Sequence, residues 1–216
     1  MCVGKCSRFI GLCLVVLSVM AITLSLFLLF PNFDGSYLKK NLISHYAIRM
    51  PGIWAGGVMV LLSGIQTSLA GFKVKICSCC GPRCDMLVSI VLSSLALMGA
   101  SVCLIVITAG LAKGPFCLYE VNMIEGAMKE KWDYPFMTAD PQIFNNSAHI
   151  QLFDIVLWST VCIEPPHIVT WNSSLGLSLC LINLLQILLS ISQLINAFFG
   201  VIGGHCDPKK TGPSDV

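Results

Sequence analysis

Residues 174–202 read SLGLSLCLINLLQILLSISQLINAFFGVI and contain no Asp, Glu, Lys or Arg. An α-helix rises about 1.5 Å per residue, so this stretch is long enough to cross the roughly 30 Å hydrocarbon core of a bilayer. The bilayer interior offers no water to exposed backbone N–H and C=O groups, which must therefore bond within the segment. The stretch is predicted to be a membrane-spanning helix.

Three further charge-free blocks precede it, at residues 9–30, 51–72 and 86–112. Only 11% of the chain is charged, whereas a soluble domain carries about a quarter. The first block is too long for the apolar part of a signal peptide and lacks a small-residue cleavage site, which favours a retained anchor. The predicted fold is all-α: a four-transmembrane-helix bundle with a small disulfide-closed extracellular domain between spans three and four.

Basic residues orient the four spans. Segments 1–8, 73–85 and 203–216 carry seven Lys or Arg in about 35 residues, and segments 31–50 and 113–173 carry six in about 81. The positive-inside rule therefore predicts a cytosolic N-terminus, Cys-rich loop and tail. Residues 31–50 form the short extracellular loop and residues 113–173 the large one. The net charge of +2, without basic runs interleaved with aromatics, argues against nucleic-acid binding.

Two modifications are predicted for the large loop. Cys117 and Cys162 are the only cysteines in the two outside segments, and an oxidising compartment favours a disulfide between them over two free thiols. Asn145 and Asn172 begin Asn-x-Ser sequons and are candidates for N-glycosylation. Asn172 abuts the fourth span, which restricts access to it.

The cytosolic side is rich in cysteine. Cysteines next to basic residues at the membrane are typical of S-palmitoylation, although zinc binding and unmodified thiols are alternatives. The spacing C-x-C-C-x3-C in the inner loop differs from the usual paired zinc knuckle, which favours acylation. The palmitoylation candidates are Cys2, Cys6, Cys77, Cys79, Cys80, Cys84 and Cys206.

Small and amide residues are the candidates for helix packing. Gly52 and Gly56 form a Gly-x3-Gly motif in the second span, and Asn183, Gln186 and Gln193 share one face of the fourth. Packing within one bundle is favoured over a homo-oligomer interface, and a polar transport path is the alternative. Because the spans contain no ionisable side chain, a proton relay is not expected.

The chain offers no catalytic, cofactor or metal-ligand pattern, and no enzymatic activity is predicted. The last three residues weakly fit a PDZ ligand, in which Ser214 and the terminal Val216 would be captured with the carboxylate.

Motifs along nearly the whole chain resemble the L-six antigen family of tetraspanin-like four-transmembrane proteins. They include the opening MCVGKCSR of residues 1–8, Phe30-Pro-Asn32, Cys79-Cys-Gly81, Arg83-Cys84, Gly114-Pro-Phe-Cys117, Leu157-Trp158, Cys162-Ile-Glu-Pro165, Trp171-Asn-Ser-Ser-Leu175 and Gln193-Leu-Ile-Asn196. In true tetraspanins Cys-Cys-Gly lies in the large outside loop, whereas residues 79–81 lie in the predicted inner loop. Tetraspanin disulfide patterns therefore do not carry over.

The resemblance implies a non-enzymatic membrane organiser rather than a catalyst. Such proteins associate laterally with membrane proteins, including integrins and tetraspanins, and influence adhesion, migration or growth. The implied location is the plasma membrane, with endosomal or lysosomal membranes as alternatives. A small channel or transporter accessory subunit is the alternative function, because of the amides in the fourth span.

Overall fold

The computed structural model describes residues 3–40, 42–49, 51–71, 82–122, 128–135 and 162–202. Within these ranges, four helices are long and apolar enough to cross a membrane, as predicted. In chain order the elements are α1 (Val3–Leu29), a 3-10 turn (Pro31–Phe33), α2 (Ser36–Lys39), α3 (His45–Ile48), α4 (Pro51–Ile53), a π-helical segment (Trp54–Met59), α5 (Val60–Gly71), α6 (Pro82–Lys113), β1 (Cys117–Asn122), β2 (Met128–Asp133) and α7 (Ile168–Ile202).

The helices extend beyond the apolar blocks. The third block begins at residue 86, but α6 begins at Pro82, where a proline at the first helical position sacrifices no hydrogen bond. The fourth block begins at residue 174, but α7 begins at Ile168. Each helix can continue past the hydrocarbon core because its backbone bonds remain satisfied in the interfacial region as well.

The second span is not a uniform α-helix. It consists of α4, the π segment and α5 in succession, and Gly56 and Gly57 are buried inside the π segment. A π-helix bonds residue i to i+5, is rare, and is found mostly as single turns inserted into α-helices. The glycine spacing in the sequence is equally compatible with an α-helix, so the interruption was not predicted.

Glycines allow α1 to approach the second span closely. A Cβ added to Gly11 would lie 2.5 Å from the Ser68 backbone nitrogen, and one added to Gly64 would lie 3.0 Å from the Val15 nitrogen. These are contacts of backbone with backbone, which larger residues would prevent. Small residues thus supply the packing that lipid, being as apolar as the helices, does not drive.

The loop between the third and fourth spans contains the predicted disulfide, which joins Cys117 to Cys162. Strands β1 and β2 pair antiparallel, with Cys117 opposite Asp133, and the Leu118 N–H donates to the Glu164 carbonyl at 2.9 Å on the other edge of β1. The four spans and the disulfide confirm the predicted fold, but this two-stranded sheet was not predicted.

Candidate functional site in the bundle axis

The fourth span directs its polar residues into the centre of the bundle. Asn183, Gln186, Ser190 and Gln193, here called the axial seam, are all at most 2% exposed. They recur three, seven and ten residues after Asn183, which places them on one helix face. The opposite face is apolar and points outward, with Leu181 and Leu188 more than half exposed.

At its outer end the seam binds the π segment of the second span. The Gln186 Nε2 donates to the Gly56 carbonyl at 2.9 Å, and the Asn183 Nδ2 donates to the Leu179 carbonyl of its own helix at 2.7 Å. A Cβ added to Gly56 would lie 2.7 Å from the Asn183 Oδ1 and 3.1 Å from the Cys103 Sγ. Gly56 therefore has room for no side chain and places its carbonyl within reach of the amide.

At its inner end the seam joins all four spans. The Gln193 Nε2 donates to the Ser7 Oγ of α1 at 3.1 Å and to the Ser89 Oγ of α6 at 3.2 Å. The Ser7 hydroxyl in turn donates to the Thr67 carbonyl of α5 at 3.2 Å. We call Ser7, Thr67, Ser89 and Gln193 the four-helix clasp. The sequence indicated only Gln193, because serine and threonine are common in spans and nothing local identifies their partners.

The second span carries a further amide, Gln66. Gln66 is buried, but its Nε2 has no hydrogen-bond partner among the described residues, and the fourth-span amides use Gly56, Ser7 and Ser89 instead.

Apolar layers alternate with these polar contacts. One buried cluster, at the level of Asn183 and outward, combines Ala21, Cys103, Ile107, Leu179 and Ile182. A second cluster occupies the inner half of the bundle and combines Ile10, Leu14, Val60, Ala96 and Ala100.

A small cavity borders the cluster that contains Ile107 and Leu179, towards the end of the bundle where α7 begins. Its volume is about 40 Å³, enough for about three water molecules but not for a lipid chain. Its polar lining comes from Ser25, Ser44, Tyr46 and Asn172. Asn172 lies in the second turn of α7 and is half-buried, so the second sequon begins inside a helix.

Tyr134 connects the first extracellular loop to the ectodomain. Its hydroxyl lies 3.3 Å from the Ser44 Oγ and accepts from the His45 backbone N–H at 3.3 Å, while its ring packs edge-on against Phe116. The Lys131 Nζ, 2.7 Å from Asp133, and the Tyr134 backbone N–H both bond the Asp133 carboxylate, which lowers its pKa. Tyr134 therefore joins the segment between the first two spans to the segment between the last two.

An aromatic group ties the outer end of α1 to the start of α7. The Trp171 Nε1 donates to the Phe27 carbonyl at 3.2 Å, and the Phe33 ring packs edge-on against both Phe27 and Trp171. Asn32, in the left-handed region with φ of 52°, donates from Nδ2 to the Pro166 carbonyl at 3.0 Å. Asn32 of the Phe-Pro-Asn motif, with Phe27 and Phe33 on either side of it, thus links the end of α1 to the start of α7.

Among the palmitoylation candidates, Cys6 is exposed on α1 and Cys84 lies in α6. Within the described part of the chain, no group of three His, Cys, Asp or Glu could hold a metal ion. The other candidates for acylation, glycosylation and PDZ binding lie outside the described residues: Cys2, Cys77, Cys79, Cys80, Cys206, Asn145, Ser214 and Val216.

Comparisons with known proteins agree with the motifs. The family model described as "L6 membrane protein" matches residues 1–207. The chain is similar to Transmembrane 4 L6 family member 5 of Bos taurus, with 41% identity over 99% of this chain and 100% of that protein. It is also similar to member 19 of Mus musculus, with 35% identity over 95% of both chains, and to member 1 of Homo sapiens, with 34% identity over 95% and 96%. No solved structure matches.

Proposed function

Because the chain belongs to the L6 membrane protein family, we propose that it is a non-enzymatic organiser that associates laterally with other membrane proteins. The observation that carries this proposal is that the spans turn polar side chains towards the interior of the bundle and apolar side chains towards the lipid. Asn183 and Gln186 of α7 are fully buried, while Leu181, Leu188 and Phe199 of the same helix are 64%, 61% and 68% exposed.

This division leaves the outer faces of the spans to lipid and to neighbouring helices. The glycines that permit close backbone approach, Gly11, Gly56 and Gly64, already face partners inside the bundle. Lateral partners would therefore contact bulky aliphatic and aromatic side chains rather than a glycine motif. Packing of that kind in lipid is weak for each contact, which suits reversible assemblies better than a permanent dimer.

Acylation of the cysteines on the predicted cytosolic side would add a lipid anchor that helps to sort the protein into membrane assemblies. Cys6 is exposed on α1 close to Phe9, which is 67% exposed, so an attached acyl chain could enter the inner leaflet beside this face. The other candidates lie in the Cys-rich loop and the two termini, on the same predicted side of the membrane.

The ectodomain would supply partner contacts outside the membrane. Its disulfide and the Tyr134 contacts hold the large and small loops together, which offers one preformed surface. Integrins and tetraspanins are the partner classes that the family resemblance implies, with effects on adhesion, migration or growth. The plasma membrane is the proposed location.

The alternative, a small channel or transporter accessory subunit, rests on the axial seam. Against it, buried apolar clusters, one containing Leu179 and Ile107 and the other Leu14 and Val60, pack in the bundle interior beside the polar residues. Flux measurements on liposomes that contain the protein alone separate the two functions. Robust flux would overturn the organiser proposal.

The acylation component is tested by proximity labelling in cells. The parent chain is compared with a variant in which Cys77, Cys79, Cys80 and Cys84 are changed to Ser. A Cys180→Ser variant is the matched control, since Cys180 lies within a span, away from cytosolic enzymes. We expect a changed partner list and a reduced acyl-exchange signal only in the fourfold variant, which retains Cys6. An unchanged list without any acyl-exchange signal in the parent would contradict the acylation component.

A further inference from the structure

Most hydroxyl groups in the spans bond to a carbonyl of their own helix, whether they are exposed or buried. The buried Ser18 and Ser25 of α1 donate to the Val15 and Ala21 carbonyls at 2.8 and 2.7 Å. The serines and threonines on the outer side each donate to the carbonyl four residues back, at 2.8 or 2.9 Å. They are Thr23, Ser94, Ser101, Thr108, Ser178 and Ser192. By contrast, five buried hydroxyls of the second, third and fourth spans have no partner among the described residues: Ser63, Thr67, Ser68, Ser93 and Ser190.

This difference does not follow from helix geometry. A hydroxyl inside a helix can in general reach the carbonyl one turn back, and the outer residues do so because lipid offers them nothing else. The five unpaired hydroxyls do not, although Ser18 and Ser25 show that a buried hydroxyl can make this bond. An unpaired polar group is costly in a low-dielectric interior, so such a group indicates a partner of another kind.

The side-chain amide oxygens of the axial seam likewise have no hydrogen-bond partner among the described residues. The Nε2 atoms of Gln186 and Gln193 donate, but the Oε1 atom of each has no partner in the described part of the chain, and neither has the Asn183 Oδ1. Unused donors and unused acceptors therefore face the same axis.

Three of these hydroxyls, those of Ser63, Ser93 and Ser190, lie between two fixed levels of the bundle. The bond from Gln186 to Gly56 fixes the outer level, and the four-helix clasp fixes the inner level. Spans two and four run in the same direction, and Ser63 lies between Gly56 and Thr67 just as Ser190 lies between Gln186 and Gln193. Ser93 follows Ser89 of the clasp by one turn, towards the same middle level.

We propose that ordered water molecules bind in this axial site, where they bridge the hydroxyls of Ser63, Ser93 and Ser190 to the Gln186 and Gln193 carbonyl oxygens. Water matches the chemistry, since it can accept from a hydroxyl and donate to an amide oxygen at once. A buried water typically makes about three such bonds. A cation is disfavoured because the site presents only neutral oxygens in the membrane interior.

The proposal predicts that a buried position takes up label from water faster than an exposed position on the same helix. Ser190 is fully buried in the axis, whereas Ser192, two residues along the same helix, is exposed on the outer side. The test compares Ser190→Cys with Ser192→Cys in nanodiscs equilibrated with ¹⁸O-labelled water. Brief X-ray pulses create hydroxyl radicals from nearby water, and mass spectrometry measures ¹⁸O taken up at each thiol. We expect position 190 to be labelled severalfold faster than position 192.

A native cysteine gives a control in the same protein. Cys103 is fully buried beside Asn183, outward of the Gln186 level that bounds the axial site. In the Ser190→Cys protein, Cys103 is expected to take up label severalfold more slowly than position 190. Position 190 labelled no faster than position 192, or no faster than Cys103, in a folded sample would overturn the proposal.

Discussion

Replacement of Gln193 by Met should weaken the bundle by about 1 to 3 kcal/mol. The side chain is 2% exposed, and Met retains its length and volume while removing two donors, at 3.1 Å to Ser7 and 3.2 Å to Ser89. Side-chain hydrogen bonds between helices in membranes average about 0.6 and reach about 1.7 kcal/mol each. The lower half of the range is expected, because Ser7 keeps its bond to Thr67 and Ser89 can turn to its own helix.

The assay is reversible unfolding in bicelles, with a double-mutant cycle that combines Gln193→Met with Ser7→Ala and with Ser89→Ala. Each cycle should give a coupling of about 0.6 kcal/mol, since the single changes disrupt the same bond. Ser192→Ala is the control, an exposed neighbour bonded only to its own helix, and should change stability by less than about 0.5 kcal/mol. Zero coupling in both cycles would refute the clasp.

Three further predictions concern packing, the disulfide and glycosylation. Gly11→Ala should destabilise the bundle by about 1 to 3 kcal/mol and Gly64→Ala by less, in the same unfolding assay, because the new Cβ would lie 2.5 Å from a backbone atom in the first case and 3.0 Å in the second; equal stabilities would contradict the backbone contact. Cys117→Ser should cost about 4 kcal/mol in thermal unfolding, since the disulfide closes a sequence separation of 45 residues; an unchanged melting curve would count against it. Asn145→Gln should remove a glycosidase-sensitive gel shift, whereas Asn172→Gln should leave it, because Asn172 is half-buried on a helix; the reverse pattern would show that the first sequon is unused.

The spans and the disulfide could be predicted from the sequence because each prediction depends on the absence of a residue type from a segment. Charges are absent from four long blocks, and only two cysteines lie outside. The shared face of Asn183, Gln186 and Gln193 followed from helical periodicity alone. Their partners did not, because a Gly56 carbonyl in a π segment and the hydroxyls of two other helices become acceptors only when four spans are assembled.

The two-stranded sheet between the third and fourth spans was missed for a different reason. In β1 the buried Cys117 and Tyr119 alternate with the more exposed Leu118 and Glu120, so the strand pattern exists, but it covers only six residues. β2 is equally short and mostly charged. Strands of this length are stabilised by the disulfide and by pairing with each other, which no local pattern expresses.

Site-specific photo-crosslinking in cells tests the proposed lateral association most directly. A photoreactive residue at Leu188, 61% exposed on the outer face of α7, is compared with one at Leu179, fully buried in the same helix. Leu188 should yield discrete adducts with the membrane proteins that proximity labelling also identifies, while Leu179 should yield only intramolecular products. If Leu188 and the equivalent outer positions Met98 and Val16 capture lipid alone, the protein is not a lateral organiser.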